Sequence, residues 1–200
     1  MGPRGRKKGS VGVESKECLL SIAAEEFAEK GYYKTTISTI VKRAGFSQPT
    51  FYLYFTSKEH IYSELVQSFQ EKLKQLTSAS RLEPALDTNS LPERITTSLS
   101  SIFQFFTDYP HLTKIGFYES EEATNIKQAM ADQIHENLIS EQQNNYFSSH
   151  LNMELIAQVL VGAIERLTIT KLFSNEATSA GLAKEIVDFF LYGMVPRETK

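Results

Sequence analysis

The stretch from Ala44 to Lys58, AGFSQPTFYLYFTSK, constrains this chain more than any other. Gly45 stops one short helical pattern and Ser47 is placed to cap a second, with only Gly-Phe-Ser between them. Glycine takes the left-handed turn that closes a helix, and a serine hydroxyl accepts from the free N–H groups that open one. This is helix-turn-helix punctuation. Upstream, Ile37, Ile40, Val41 and Ala44 recur at the spacing of one buried helical face. Downstream, Phe51, Tyr54 and Phe55 are spaced so that they can turn inward, which leaves Gln48, Pro49, Thr50, Tyr52 and Leu53 at the exposed start of the second helix.

Those exposed residues have the chemistry of a groove reader. Gln48 offers a donor and an acceptor together, suited to bidentate pairing with an adenine edge. Pro49 is tolerated in a first turn, where its missing N–H has no partner, and its ring suits contact with a thymine methyl. Thr50 and Tyr52 are placed for phosphate or base contact, and Tyr54 either reaches phosphate or packs inward. Before this unit, Leu19, Ile22, Ala23 and Phe27 predict a helix from about 15 to 30, ended by Gly31. Thr35 and Thr36 are alternative caps for the helix that follows. After the unit, Thr56-x-x-Glu59 reads as a capping box opening a fourth helix. Lys58 falls in its first turn, where the helix dipole disfavours a cation unless an anion offsets it.

The run AGFSQPTFYLYFTSKEHI, with Thr35-Thr36-Ile37 and the preceding Phe27-x-x-Lys30-Gly31-Tyr32, resembles the DNA-binding signature of the TetR/AcrR family of bacterial transcriptional repressors. The similarity spans about residues 15–65. It implies that Thr35 or Thr36 faces a DNA phosphate at the start of its helix, that Ser47 belongs to the contact surface, and that Lys58 reaches a phosphate.

The charge is divided in a way that suits this reading. Residues 1–58 hold ten Lys/Arg against five Glu, and residues 59–200 hold eleven against nineteen Asp/Glu, giving +5 and −8. Attraction for phosphate is therefore concentrated in the N-terminal part, and the remainder is repelled from DNA. Residues 1–13, with four Gly, one Pro and Arg4, Arg6, Lys7 and Lys8, are too polar to order themselves. They read either as a solvated tail or as a basic arm following the DNA backbone. A single cysteine, Cys18, cannot form an internal disulfide and offers no metal-ligand pattern. No signal peptide is visible and no run reaches the roughly 18 apolar residues of a membrane span. A cytoplasmic protein without membrane contact is expected.

Beyond residue 58 the chain is a series of helical patterns. The first, Ile61, Leu65, Phe69, Leu73 and Leu76, continues to about Ala79 and spans about 30 Å. A loop over about 81–92 follows, then patterns over 93–108, 111–119, 122–148, 153–174 and 180–194. No run alternates as a strand does, so the expected fold is all-α. It divides into a DNA-binding domain, 1–58, and a helical dimerisation and ligand-sensing domain, 59–200, joined by the long helix.

The family resemblance implies a homodimer on an inverted-repeat operator of double-stranded DNA, released by a small effector. It also implies that the last two helices pair with their copies. Ile156, Val159, Ala163, Leu167, Phe189 and Gly193 are the candidates for that seam, with an internal core as the alternative. Phe103, Phe106, Tyr109, Phe117, Tyr118 and Met130 are candidates for the pocket wall, suiting an apolar or aromatic effector, and core packing is again the alternative. There is no phosphate-cradling glycine loop, nucleophile elbow or metal-ligand cluster, so neither catalysis nor a cofactor is expected. Two other readings share these motifs in part. One is a dimeric DNA-binding protein without a pocket, or an activator; the other is a helical carrier that no longer binds DNA.

Overall fold

The computed structural model describes residues 8–83 and 87–194, with side chains from Val13 onward. The expected arm residues Arg4, Arg6 and Lys7 lie outside the described residues. All regular structure among the described residues is helical: α1 (Lys8–Lys30), α2 (Ile37–Ala44), α3 (Gln48–Tyr52), α4 (Lys58–Ala79), α5 (Leu91–Asp108), α6 (Pro110–Thr113), α7 (Ala123–Gln143), α8 (Met153–Leu167) and α9 (Ser179–Tyr192). α6 runs directly into a π-helical segment, Lys114–Glu119, and α8 into another, Thr168–Leu172. The first helix starts several residues before the expected Ser15. Extending a nucleated helix adds one hydrogen bond per residue fixed, which carries it through Gly9 and Gly12.

Two compact units result. The first runs to Phe69 and takes in His111–Glu121; the second holds the remainder. The division therefore falls inside α4, not at residue 58 as expected. Ile61, Leu65 and Phe69 carry the reason, because these three turns of α4 are buried in the first unit together with Leu19, Phe27, Ile40, Phe51 and Phe55. Ile115 and Phe117 complete that core, and the Phe117 ring lies 6.0 Å from Phe69. The segment approaches so closely that a Cβ on Gly116 would stand 2.3 Å from the Phe69 ring. Only glycine fits there.

Within this unit α2 is tied to α1 by Arg43, which pairs with Glu25, Glu26 and Glu29. Glu26 is fully buried, and Lys30 also reaches it at 2.7 Å. Burial raises the Glu26 carboxyl, but hydrogen bonds from Lys30 and Arg43 outweigh it and hold the group below the usual carboxylate range.

The second unit is built from two antiparallel helix pairs. α5 packs along α9 and α7 along α8. Thr107 and Ser179 hydroxyls, 3.4 Å apart, join the end of α5 to the start of α9. Lys127 pairs with Glu165 at 2.7 Å, joining the start of α7 to the end of α8. Asn152 and Thr178 cap α8 and α9 by accepting from Leu155 N–H and Gly181 N–H.

Candidate nucleic-acid interface and effector cavity

The turn between α2 and α3 forms as its residues require. Gly45 takes φ 73°, ψ 24°, and the Phe46 N–H reaches back to the Val41 carbonyl at 2.8 Å, closing α2. Ser47 stays extended, and its Oγ accepts from Thr50 N–H at 3.3 Å, opening α3. Phe51 and Phe55 are buried, which fixes the rotation of this short helix. Gln48, Pro49, Tyr52 and Leu53 consequently face solvent, with Thr50 and Tyr54 half-buried. The turn and the start of α3 thus expose Ser47, Gln48, Pro49, Tyr52 and Leu53 to solvent.

At the start of α2 the two threonines separate into different roles. Thr36 is the cap: its Oγ1 accepts from Thr39 N–H, the Thr39 hydroxyl oxygen accepts from Thr36 N–H, both at 3.2 Å, and the residue is exposed. Thr35 is fully buried, and its hydroxyl is placed 3.0 Å from both the Glu26 and Gly31 carbonyls. It is a core residue, which corrects its expected place on the DNA surface.

Lys58 requires a second correction. Its ammonium donates to the carbonyls of Tyr32 at 3.0 Å and Thr35 at 3.1 Å and sits 4.2 Å above the centre of the Tyr32 ring. The charge disfavoured at a helix N-terminus is thus offset by internal carbonyls and a π face, so a phosphate is not needed. Nearby, the Tyr32 hydroxyl donates to Glu59 at 2.8 Å. Burial, and then that bond to a carboxylate, push the Tyr32 hydroxyl up to about 12. Glu59 therefore does not close the expected box with Thr56. Ser57 Oγ caps α4 by accepting from His60 N–H, and His60 Nδ1 accepts from Thr56 N–H.

The structure also brings forward residues not singled out from the sequence. Tyr33 is 89% exposed and Lys34 is exposed, both in the turn just before the Thr36 cap. The Tyr33 ring meets Tyr32 edge-on at 5.4 Å and otherwise projects into solvent. The legible signal was Tyr-Tyr-Lys after a helix-ending glycine.

In the second unit, the two helix pairs border a partly open cavity of about 150 Å³. Ile95, Leu99 and Ile102 of α5 line it, with Ile186, Val187 and Phe190 of α9 on the same pair. Ile134 and Leu138 of α7 and Ile156, Leu160 and Ile164 of α8 form the facing wall. Its polar side chains are Ser80, Ser98, Asn137 and Glu141.

None of the expected pocket aromatics is among the lining residues. Phe103 and Phe106 are fully buried core, and Tyr109 is 56% exposed beyond the end of α5, its ring 5.7 Å from Phe105. Phe117 and the half-buried Tyr118 belong to the first unit. Met130 is buried beside a separate groove between α4 and α7. Large rings fill space where they fall, and the void lies where branched aliphatic side chains face each other. The signal that was available is on α7, where the buried stripe Met130, Ile134, Asn137, Glu141 places two polar residues at core positions.

The expected seam residues divide. Val159 and Phe189 are about half exposed, Gly193 is exposed, and Ala163 and Leu167 are half-buried. Ile156 turns toward the cavity. Leu155, Ile169, Tyr192 and Met194 are further exposed large side chains on α8, the π segment and the end of α9. Among the described residues no cluster of three potential metal ligands occurs, and no helix is long and apolar enough to cross a membrane.

Residues 19–65 match the family model described as bacterial regulatory proteins, tetR family. The chain is 44% identical to the HTH-type transcriptional regulator YdgC of Bacillus subtilis (strain 168), itself uncharacterised, over 94% of this chain and 96% of that one. It is 23% identical to the fatty acid metabolism regulator protein of the same organism, over 88% of this chain and 93% of that protein. Among solved structures, the fatty acid degradation regulator FadR of Bacillus halodurans superposes with a TM-score of 0.72 at 21% identity, covering 98% of this chain and all of that one. The FadR regulator of Bacillus subtilis, solved in complex with stearoyl-CoA, gives 0.68 at 21% identity, covering 90% of this chain and 99% of that one. At these identities the structural likeness establishes the fold.

Proposed function

This chain belongs to the TetR family and is a DNA-binding transcriptional regulator, and on that premise we propose that it responds to a ligand, as a homodimeric repressor released from an inverted-repeat operator by a small apolar effector. The observation that carries the release is the aliphatic cavity bordered by α5, α7, α8 and α9. Cavities of native cores are few and small because interiors pack like crystals. A partly open cavity with a mainly aliphatic wall therefore suits a guest with an apolar body, such as an acyl or alkyl chain. The stearoyl-CoA held by a regulator of the same fold is consistent with that class.

On the DNA side, Gln48 reads an adenine edge and Pro49 touches a thymine methyl, while Thr50 and Tyr52 contact backbone or base. Tyr33, Lys34 and the exposed start of α2 at Thr36 contact phosphates on the flank. The seam joining two copies runs over Leu155, Val159, Ile169, Phe189 and Tyr192, which support it by their exposure. Two recognition helices related by a two-fold axis then read half-sites about one helical turn apart, or further on distorted DNA. For a near-complete switch the effector must favour the DNA-free state by about 5.5 kcal/mol.

The test is selection of bound duplexes from a random pool, followed by release with stearoyl-CoA. An inverted repeat is expected, lost in Gln48→Ala and Tyr52→Ala, with affinity falling steeply as salt rises. An enriched site without two-fold symmetry would remove the dimeric reading. Retention of the complex with stearoyl-CoA at concentrations that saturate the protein would remove release by this class of ligand.

A further inference from the structure

Most of the cavity wall is aliphatic, and its polar side chains differ in what they have left to offer. Asn137 Nδ2 donates to Thr77 O at 2.9 Å and to Ser80 Oγ at 3.3 Å, and its Oδ1 accepts from Gln133 Nε2 at 3.2 Å. Ser80 Oγ in turn donates to Thr77 O at 2.6 Å. These two residues form a closed network that seals the end of α4 against α7. Glu141, one turn further along α7, is the only charged residue on the wall among the described residues and is 5% exposed. Its Oε1 accepts from Leu82 N–H at 3.0 Å, and among the described residues this is the only hydrogen bond its carboxyl group makes. A carboxylate has two oxygens and about four acceptor sites.

A buried acceptor with a single donor is costly unless a further group donates to it. The nearest cation, Arg81, is exposed and directs its guanidinium to Ser140 Oγ at 2.7 Å. Burial raises the Glu141 carboxyl from its ordinary value, against the opposing effects of Leu82 N–H and Arg81. Glu141 is thus a buried acceptor on the wall that the described residues match with a single donor.

We propose that Glu141 sets effector specificity: it accepts a hydrogen bond from a donor group, a hydroxyl or an amide N–H, on an otherwise apolar guest, and it rejects guests carrying a carboxylate at that point. This deepens the effector reading above and rests on it. A hydroxyl or amide supplies the missing donor, whereas a second carboxylate beside Glu141 places like charges in a low-dielectric site. A free fatty acid is therefore a poor effector, and a chain carrying an amide or alcohol is a good one.

The probes are decanamide, decanol and decanoate, which share one chain length and differ in the polar group. Binding to the full chain is measured by calorimetry, and release of the selected operator by fluorescence anisotropy. Decanamide and decanol are expected to bind and release DNA, and decanoate to bind at least about tenfold more weakly. Glu141→Gln retains the shape and the acceptor for Leu82, and it is expected to narrow that gap to within about threefold. Equal binding of decanoate and decanamide to the unmodified protein overturns the proposal, as does an unchanged ratio in Glu141→Gln. The ratio in the unmodified protein decides the matter if the variant does not fold. Binding without discrimination leaves the effector cavity standing and removes only the role of Glu141. Failure of every probe to bind a protein that still holds DNA overturns both.

Discussion

The first unit and the second are made of the same kind of element, yet they treat buried space and buried charge in opposite ways. In the first, five fully buried phenylalanines, Phe27, Phe51, Phe55, Phe69 and Phe117, fill the core until a backbone glycine touches a ring. Its buried carboxylate, Glu26, is matched by two cations. In the second, aliphatic side chains stop short of each other around about 150 Å³, and the buried Glu141 has one backbone N–H. The lesson concerns division of labour. Under the proposed function, a reader of DNA needs its side chains held in one geometry, so its support is filled and paired, and a sensor needs somewhere for a guest to go.

The largest test of that contrast is removal of a ring from the filled core. Phe51→Ala is expected to cost about 3–5 kcal/mol by leaving a cavity behind the recognition helix. Urea unfolding followed by circular dichroism measures it, and DNA binding should be lost with it. A loss below about 1 kcal/mol would mean that this core is as yielding as the cavity.

Gly116→Ala addresses the tightest contact. The added methyl meets the Phe69 ring, and a cost of about 1–3 kcal/mol is expected for overpacking. Combining it with Phe69→Leu should relieve the clash, so the double variant is less unstable than the sum of the singles. Strict additivity would mean the two positions do not press on each other.

A matched pair of enlargements sharpens the comparison directly. Leu19→Phe in the first core should destabilise by about 1–3 kcal/mol, whereas Leu160→Phe, pointing into the void, should change stability by less than about 1 kcal/mol. Thermal melts of the two variants suffice. Leu160→Phe should also blunt the response to any alkyl probe.

The smallest effect is expected at Glu141. Burial raises the Glu141 carboxyl in the fold, so folding costs more when the group is ionised than when it is protonated. Its stabilising contribution is complete below the ordinary carboxylate range and is lost as pH rises through the raised value. Glu141→Gln should therefore melt higher than the unmodified protein at neutral pH, by about 2–4 °C, and the difference should shrink as the solution is acidified. A difference that grows on acidification would reverse the sign and place the charge in a stabilising pair.

How far these features were legible depended on how local their cause is. Gly45, Ser47 and Gly31 act on neighbours within a turn, so the helix ends and the exposed start of α3 followed from residue type and spacing. The choice between Thr35 and Thr36 was not local, since Thr35 is buried by a carbonyl of α1, nine residues back. Nor was the fate of Lys58, whose partners lie 26 and 23 residues earlier in the chain. The pocket aromatics misled for a simple reason: a ring at helical spacing marks a buried face, but the same stripe serves a filled core and a cavity wall. Only Asn137 and Glu141, polar residues on the apolar stripe of α7, marked the place beforehand.

By itself the sequence determined the all-helical class, the helix-turn-helix and the separation of positive charge from negative. Each of these rests on interactions within a few residues or on a simple sum of charges. Tertiary structure alone decided that α4 is shared between two units, that Lys58 faces inward, and that the void opens among branched aliphatic side chains. Those outcomes depend on how four or more helices fit together. A mismatch of side-chain volumes across facing helices is a property of the assembly, and no single stretch of chain contains it.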